Sequence, residues 1–303
     1  MPLKILRWHS GTSTAGRKQF TAWLELFFDL IFALPIAGLA QSLYNRLTPG
    51  GFLAFAGLFL TVWWAWYSLV LFANRFESDN RLYQAILLAG MLCTIVLAVN
   101  IENTLNGLTT GFILMYAALQ ALTASLYLWQ WHKMQEEQNR VLALRCGLGF
   151  AGAAVLWLVT IWLPVPLRYV IWGLALLVEI ITPQAVALML KSRLSPTSYL
   201  AERLAVFTLI LFGTLTIQSG IGLVGTPWQV SSAATAISGF IIAVCLWWLY
   251  FSYTDTVVPQ PSSGEDRQEA VRSLHSLTHM LTWCTVYLLI YGSLTVTSVG
   301  IVL

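Results

Sequence analysis

From residue 22 to the C-terminus, apolar stretches of about 20 residues alternate with short polar breaks. Each stretch is long enough to cross the hydrocarbon core of a bilayer. Inside that core an unpaired backbone group finds no water, so each crossing must be a helix. The pattern predicts nine spanning segments, at about 22–43, 51–73, 82–101, 109–131, 142–163, 168–190, 202–223, 231–253 and 277–300. The expected fold is therefore all-α: a polytopic transmembrane helix bundle forming one membrane domain over residues 1–303. Several breaks carry turn formers, as in Thr48-Pro49-Gly50-Gly51, Pro164-Val165-Pro166 and Gly225-Thr226-Pro227. Two breaks are longer and polar, at 133–140 and 254–272, and the second reads as a flexible surface linker.

Composition agrees with the pattern. Hydrophobic residues make up 58% of the chain and charged residues 10%, with a mean hydropathy of +0.73. A soluble domain carries about 25% charged residues. The net charge of +3 matters less than its distribution. With the N-terminus inside, fourteen of the sixteen Lys and Arg residues face the cytoplasm, and only Arg46 and Arg168 lie outside. This asymmetry predicts a cytoplasmic N-terminus. The first twenty residues lack the apolar core and cleavage site of a signal peptide, so the first membrane helix is expected to act as its own targeting signal. No basic patch interleaved with aromatics occurs in a soluble segment, which argues against a nucleic-acid partner. The bilayer is the expected partner, and association of identical chains stays open.

The four cysteines, Cys93, Cys146, Cys245 and Cys284, all fall inside apolar runs and read as packing residues. His275 and His279 lie four apart at the start of the last span, but no third ligand with metal spacing accompanies them, so no metal or other cofactor is expected. Hydrolase, nucleotide-binding and dinucleotide-binding motifs are absent, and no catalytic residues are assigned.

The informative residues are the acids within apolar runs. Glu25 and Asp29 sit four apart in Trp23 to Ala40, on one face of a helix. Asp29 lies about seven residues inside, roughly 10 Å at 1.5 Å per residue. A carboxylate at a helix centre costs on the order of 2.5–3.5 kcal/mol to insert. Asp29 is therefore expected to face protein, with Arg75 or Arg203 pairing with Asp29 or Glu25. On the topology above, Glu25, Asp29, Asn74, Arg75, Asp79, Glu202, Arg203 and Asp255 gather at the cytoplasmic ends of the first, second, seventh and eighth helices. They form either a latch that fixes helix register or a vestibule for an ion, proton or anionic solute. Glu179 is central in the sixth span, with no basic residue close to it and Pro183 four residues on. It reads either as a proton-relay or transport residue or as a satisfied structural acid.

There is also an internal echo. Glu25 opens the first span and Glu202 the seventh. Trp63-Trp64-Ala65-Trp66-Tyr67, ending at Asp79, is echoed by Trp247-Trp248-Leu249-Tyr250, ending at Asp255. Arg81 and Cys93 reappear as Arg272 and Cys284, both 191 positions on. The spacing predicts a parallel repeat of a six-helix unit, with residues 1–190 as the first copy and 191–303 as an incomplete second.

Three stretches together resemble the bacterial low temperature requirement protein A family. They are Glu25-Leu26-Phe27-Phe28-Asp29-Leu30-Ile31-Phe32-Ala33, then Asn74-Arg75-Phe76-Glu77-Ser78-Asp79 after the tryptophan run, and Glu202-Arg203-Leu204-Ala205-Val206-Phe207-Thr208 through Gly213. His279 falls where that family carries a histidine opening a late helix. The chain departs from the family pattern at Thr214, where glutamate is usual, and in ending at Leu303 where relatives continue, which reads as a shortened member or a fragment. The resemblance implies a multi-pass bacterial inner-membrane (plasma-membrane) protein linked by name to growth in the cold. Two function classes follow. One is a transporter or channel for a small solute or ion. The other is a non-transporting protein, either a lipid-acting enzyme or an assembly factor.

Overall fold

The computed structural model describes residues 14–76, 80–190, 198–221, 230–257 and 285–297. Among these residues the chain forms nine α-helices and no strand. They are α1 (Thr14–Tyr44), α2 (Pro49–Arg75), α3 (Arg81–Leu105), α4 (Thr110–Lys133), α5 (Glu137–Val159), α6 (Leu167–Met189), α7 (Ser198–Ile221), α8 (Val230–Val257) and α9 (Thr285–Thr297). Seven of them, α1 to α6 and α8, contain described stretches long and apolar enough to cross a membrane. Helix α7 has 24 residues, about 36 Å of helix, and packs along α1 and α2. The architecture is a helical membrane bundle.

The predicted segments and the helices agree in order and differ at their ends. The polar run at 133–140 was expected as a loop. Instead α5 begins at Glu137, and only residues 134–136 join it to α4. Glutamate in the first helical turn interacts favourably with the helix dipole, so polar residues continue the helix beyond the apolar stretch.

Helix starts follow local chemistry. Thr48 caps α2, its side chain accepting from the Gly51 N–H at 3.0 Å, with Pro49 at the first helical position. Asn80 caps α3, accepting from the Tyr83 N–H at 2.9 Å. That cap sets Tyr83 in the first turn of α3, where its ring enters the core. At the opposite end of the bundle, Arg168 donates to the carbonyls of Thr160 and Leu163 and to the Thr109 hydroxyl, at 3.1, 2.9 and 2.9 Å. It satisfies acceptors left over where α5 ends in a 3-10 turn at Thr160–Trp162.

Helix α2 is the central element. Its most apolar stretch is 83% buried, against 39% for α3 and 33% for α6. Trp63, Trp64, Trp66 and Tyr67 are all buried there. Helix α1 packs on α2, α3 and α7, α4 packs on α2, α3 and α5, and α6 packs on α5. Close approach depends on small residues. A Cβ at Gly90 of α3 would stand 3.3 Å from the Phe28 ring of α1. One at Gly147 of α5 would stand 2.8 Å from the Leu128 side chain of α4. Trp23, Trp162 and Trp248 are exposed, a placement tryptophan often takes at membrane surfaces.

Candidate functional site

Two buried acid centres lie in this bundle. The first is built on α1. Glu25 and Asp29 face the same way, one turn apart, and Asp29 is 0% exposed. Helix α7 crosses α1 there and brings Arg203, itself 6% exposed. The guanidinium is shared. Its Nη1 lies 2.9 Å from Glu25 Oε2 and its Nη2 lies 2.5 Å from Asp29 Oδ1. Nη2 also donates to the Glu25 carbonyl at 3.4 Å, and Nη1 donates to the Tyr199 hydroxyl at 3.0 Å.

Neutral donors from three helices complete the cluster. The Trp66 indole of α2 donates to Asp29 Oδ1 at 2.8 Å. Tyr83 of α3 donates to Glu25 Oε1 and Tyr199 of α7 to Glu25 Oε2, each at 2.8 Å. Beneath it, Trp66 stacks on Phe207 with ring centroids 4.2 Å apart, and Tyr291 of α9 meets both rings edge-on. Within this cluster, two polar atoms stay without a hydrogen-bond partner among the described residues: Asp29 Oδ2 and Arg203 Nε. Burying an unpaired polar atom is costly, so such atoms call for an explanation.

The second centre belongs to α4, α5 and α6. Glu179 is also 0% exposed, yet its partners are neutral. Tyr116 donates to Oε2 at 2.7 Å and the Gln120 amide to the same oxygen at 2.6 Å. The Trp157 indole donates to Oε1 at 2.9 Å. The Gln120 amide also donates to the Tyr116 hydroxyl at 2.9 Å. Both carboxyl oxygens are thus occupied, and the ring of Tyr116 packs on Trp157 at 4.4 Å. Pro183 supplies no N–H to the Glu179 carbonyl, which loosens α6 at that turn.

These arrangements sort the sequence candidates. Glu25, Asp29 and Arg203 come together. Arg75 instead donates to Asn139 Oδ1 at 2.6 Å, tying α2 to the start of α5, and Asn74 beside it is half-buried. Glu202 is exposed on α7 and points away from its neighbour Arg203. Consecutive helical residues differ by about 100°, so one of the pair must face outward when the other faces in. Glu179 stands in its own centre. Asp79 and His279, with His275 and Cys284, lie outside the described residues, as does the side chain of Asp255. Among the described residues, no three His, Cys, Asp or Glu side chains converge as a metal site would require.

Sequence reasoning missed Tyr83, Tyr199 and Tyr116, and it used Trp66 only as part of the internal echo. Tyr199 carried a readable signal, because it stands four residues before Arg203 on the same helical face. Tyr83 carried none without knowledge of which helix lies beside α1.

The segments that build the first centre, on α1, α2 and α7, also carry the family resemblance. The sequence model of the family described as "Bacterial low temperature requirement A protein (LtrA)" matches residues 21–303. The chain belongs to this LtrA family. An uncharacterized protein of Rhizobium meliloti (strain 1021) is 28% identical over 242 residues, covering 75% of this chain and 57% of that protein. The LtrA chain described here therefore spans a little over half the length of that relative. No solved structure matches it. Family membership and the apolar helices together make it a multi-pass bacterial membrane protein.

Proposed function

We propose that this protein passes a small solute or ion across the bacterial inner membrane, and that the Glu25–Asp29–Arg203 cluster is the polar site on its path. In this reading the N-terminus is cytoplasmic, as the distribution of Lys and Arg argues, and the cluster lies toward the cytoplasmic ends of α1, α2 and α7. The observation that carries it is the pair of unpartnered atoms, Asp29 Oδ2 and Arg203 Nε, in a buried charged cluster. A purely structural latch gains from satisfying every group, and ionisable residues within membrane helices often mark ion or proton pathways. Helices α1 and α7 meet at the cluster, so breaking the Arg203 fork would let them part.

A non-transporting role has its own support. Tyr83, Tyr199 and Trp66 satisfy most of the cluster, as expected of a register-fixing latch in an assembly factor. Flux separates the two. Purified protein in liposomes is loaded in turn with protons, alkali cations and small anions, and release is followed for wild type and Asp29→Asn. The transport reading expects release of at least one probe by wild type and its loss in the variant. Release equal to protein-free liposomes for every probe would overturn it.

A further inference from the structure

The charges of the first centre do not balance. Two carboxylates, Glu25 and Asp29, share one guanidinium, and the other groups bonded to them, Trp66, Tyr83 and Tyr199, are neutral. With all three ionised the cluster carries one net negative charge, at residues 0–8% exposed. An uncompensated charge in a low-dielectric interior is among the most expensive arrangements a protein can hold.

Free bonding capacity shows which sign of ligand would be accepted. The terminal nitrogens of Arg203 are already committed, Nη1 to Glu25 and Tyr199, and Nη2 to Asp29 and the Glu25 carbonyl. Only Nε remains, so an incoming anion would find one donor and a net negative field. Asp29 offers the reverse. One of its oxygens takes both the guanidinium and the indole, while Oδ2 accepts nothing. Helices α1, α2, α3 and α7 all pack around this point, and the titratable or charged groups they present are Glu25, Tyr83, Tyr199 and Arg203. Tyr291 of α9 lies behind Trp66. Among the described residues, none of these supplies a second positive charge.

We infer that Asp29 Oδ2 is the binding point for one monovalent cation, either a proton or an alkali-metal ion, which neutralises the Glu25–Asp29–Arg203 cluster. This deepens the transport reading by assigning the bound species a positive charge. Binding removes the net charge and occupies the vacant acceptor, and the Arg203 fork stays closed. Release restores the net negative charge beside the Arg203 guanidinium. The same site would bind its cation even in a protein that transports nothing, so the inference can stand where the transport reading fails.

The test uses thermal unfolding of the full-length protein in detergent. Three series are compared at constant ionic strength: choline replaced by sodium, choline replaced by potassium, and falling pH in choline. A ligand that binds only the folded state raises its melting temperature with concentration. In the wild type, one series should raise the midpoint by about 2–4 °C per tenfold rise in the cation above its dissociation constant. The responding series identifies the source as proton, sodium or potassium. Asp29→Asn should abolish that response, while Glu179→Gln should keep it. A wild-type midpoint that is flat in all three series overturns the inference whether or not the variant folds. A response that Asp29→Asn retains also overturns it. Absent liposome flux together with a cation response lost in Asp29→Asn would overturn transport and leave the cation site standing.

Discussion

The two acid centres use the same parts in different ways. In each, carboxylates within an apolar helix receive an indole N–H and a tyrosine hydroxyl: Asp29 from Trp66 and its neighbour Glu25 from Tyr83 in one case, and Glu179 from Trp157 and Tyr116 in the other. The order along the chain is reversed: acid, tryptophan, tyrosine over α1 to α3, then tyrosine, tryptophan, acid over α4 to α6. The difference is the cation. Arg203 reaches the first centre from α7, a helix outside that set, and leaves it charged and incompletely bonded. Glu179 has only neutral donors, and both its oxygens are occupied. Three neutral donors tie Glu179 to α4 and α5, while Gln120 Oε1 stays without a hydrogen-bond partner among the described residues. The charged cluster keeps spare bonding capacity at Asp29 Oδ2, which is the basis of the transport proposal. Burial alone does not distinguish the two centres, since Asp29 and Glu179 are both 0% exposed.

The largest expected effect comes from removing the cation. Arg203→Ala strands two buried carboxylates and should cost about 3–5 kcal/mol, read as a sharp fall in monodisperse protein and in melting temperature. Adding Asp29→Asn removes one stranded charge and should recover part of the loss. Strictly additive losses in the double variant would break the claimed pairing.

The Glu179 centre should respond less. Trp157→Phe leaves Glu179 Oε1 without its donor and should lower stability by about 1–3 kcal/mol. Glu179→Gln should cost less, about 1 kcal/mol, because glutamine keeps the size and one acceptor while the Gln120 amide and Tyr116 hydroxyl can reorient. A glutamine variant that failed to fold would mean that this centre depends on a negative charge, and the contrast between the centres would narrow.

The smallest effect is expected at the far end of the bundle. Arg46 forks onto Glu102 of α3, with Nη1 3.0 Å from Oε2 and Nη2 2.5 Å from Oε1, while Ser42 donates to Oε2 at 3.0 Å. That pair is partly exposed, at 29% and 49% for the two side chains, so solvent and salt screen it. Arg46→Ala should cost about 0.2–1 kcal/mol, and less at high salt. Comparing it with Arg203→Ala measures what burial adds to an ion pair in the same molecule.

The helices were legible in the sequence because hydropathy at spanning length is a strong signal. The depth of Asp29 and its shared face with Glu25 were legible because both lie on one helix. Partners on other helices were only narrowed. Charge placement offered Arg75 and Arg203 equally, and only packing shows that α7 crosses α1 while the end of α2 reaches α5. The echo that singled out Glu202 with Glu25 compared positions along the chain. It could not show that Glu202 turns outward while Glu25 turns in. Tyrosines and tryptophans were hidden for another reason, since a buried aromatic ring looks the same in sequence whether its polar atom is used or idle.

The most direct test of the contrast is a paired flux measurement. Wild type, Asp29→Asn and Glu179→Gln are reconstituted at matched protein density, and the release of protons, sodium and potassium from liposomes is followed side by side. The charged cluster is predicted to carry the function, so Glu179→Gln should release the conducted cation at close to the wild-type rate and Asp29→Asn at the protein-free rate. Flux that survives in Asp29→Asn and is lost in Glu179→Gln would contradict the account and move the site to the Glu179 centre.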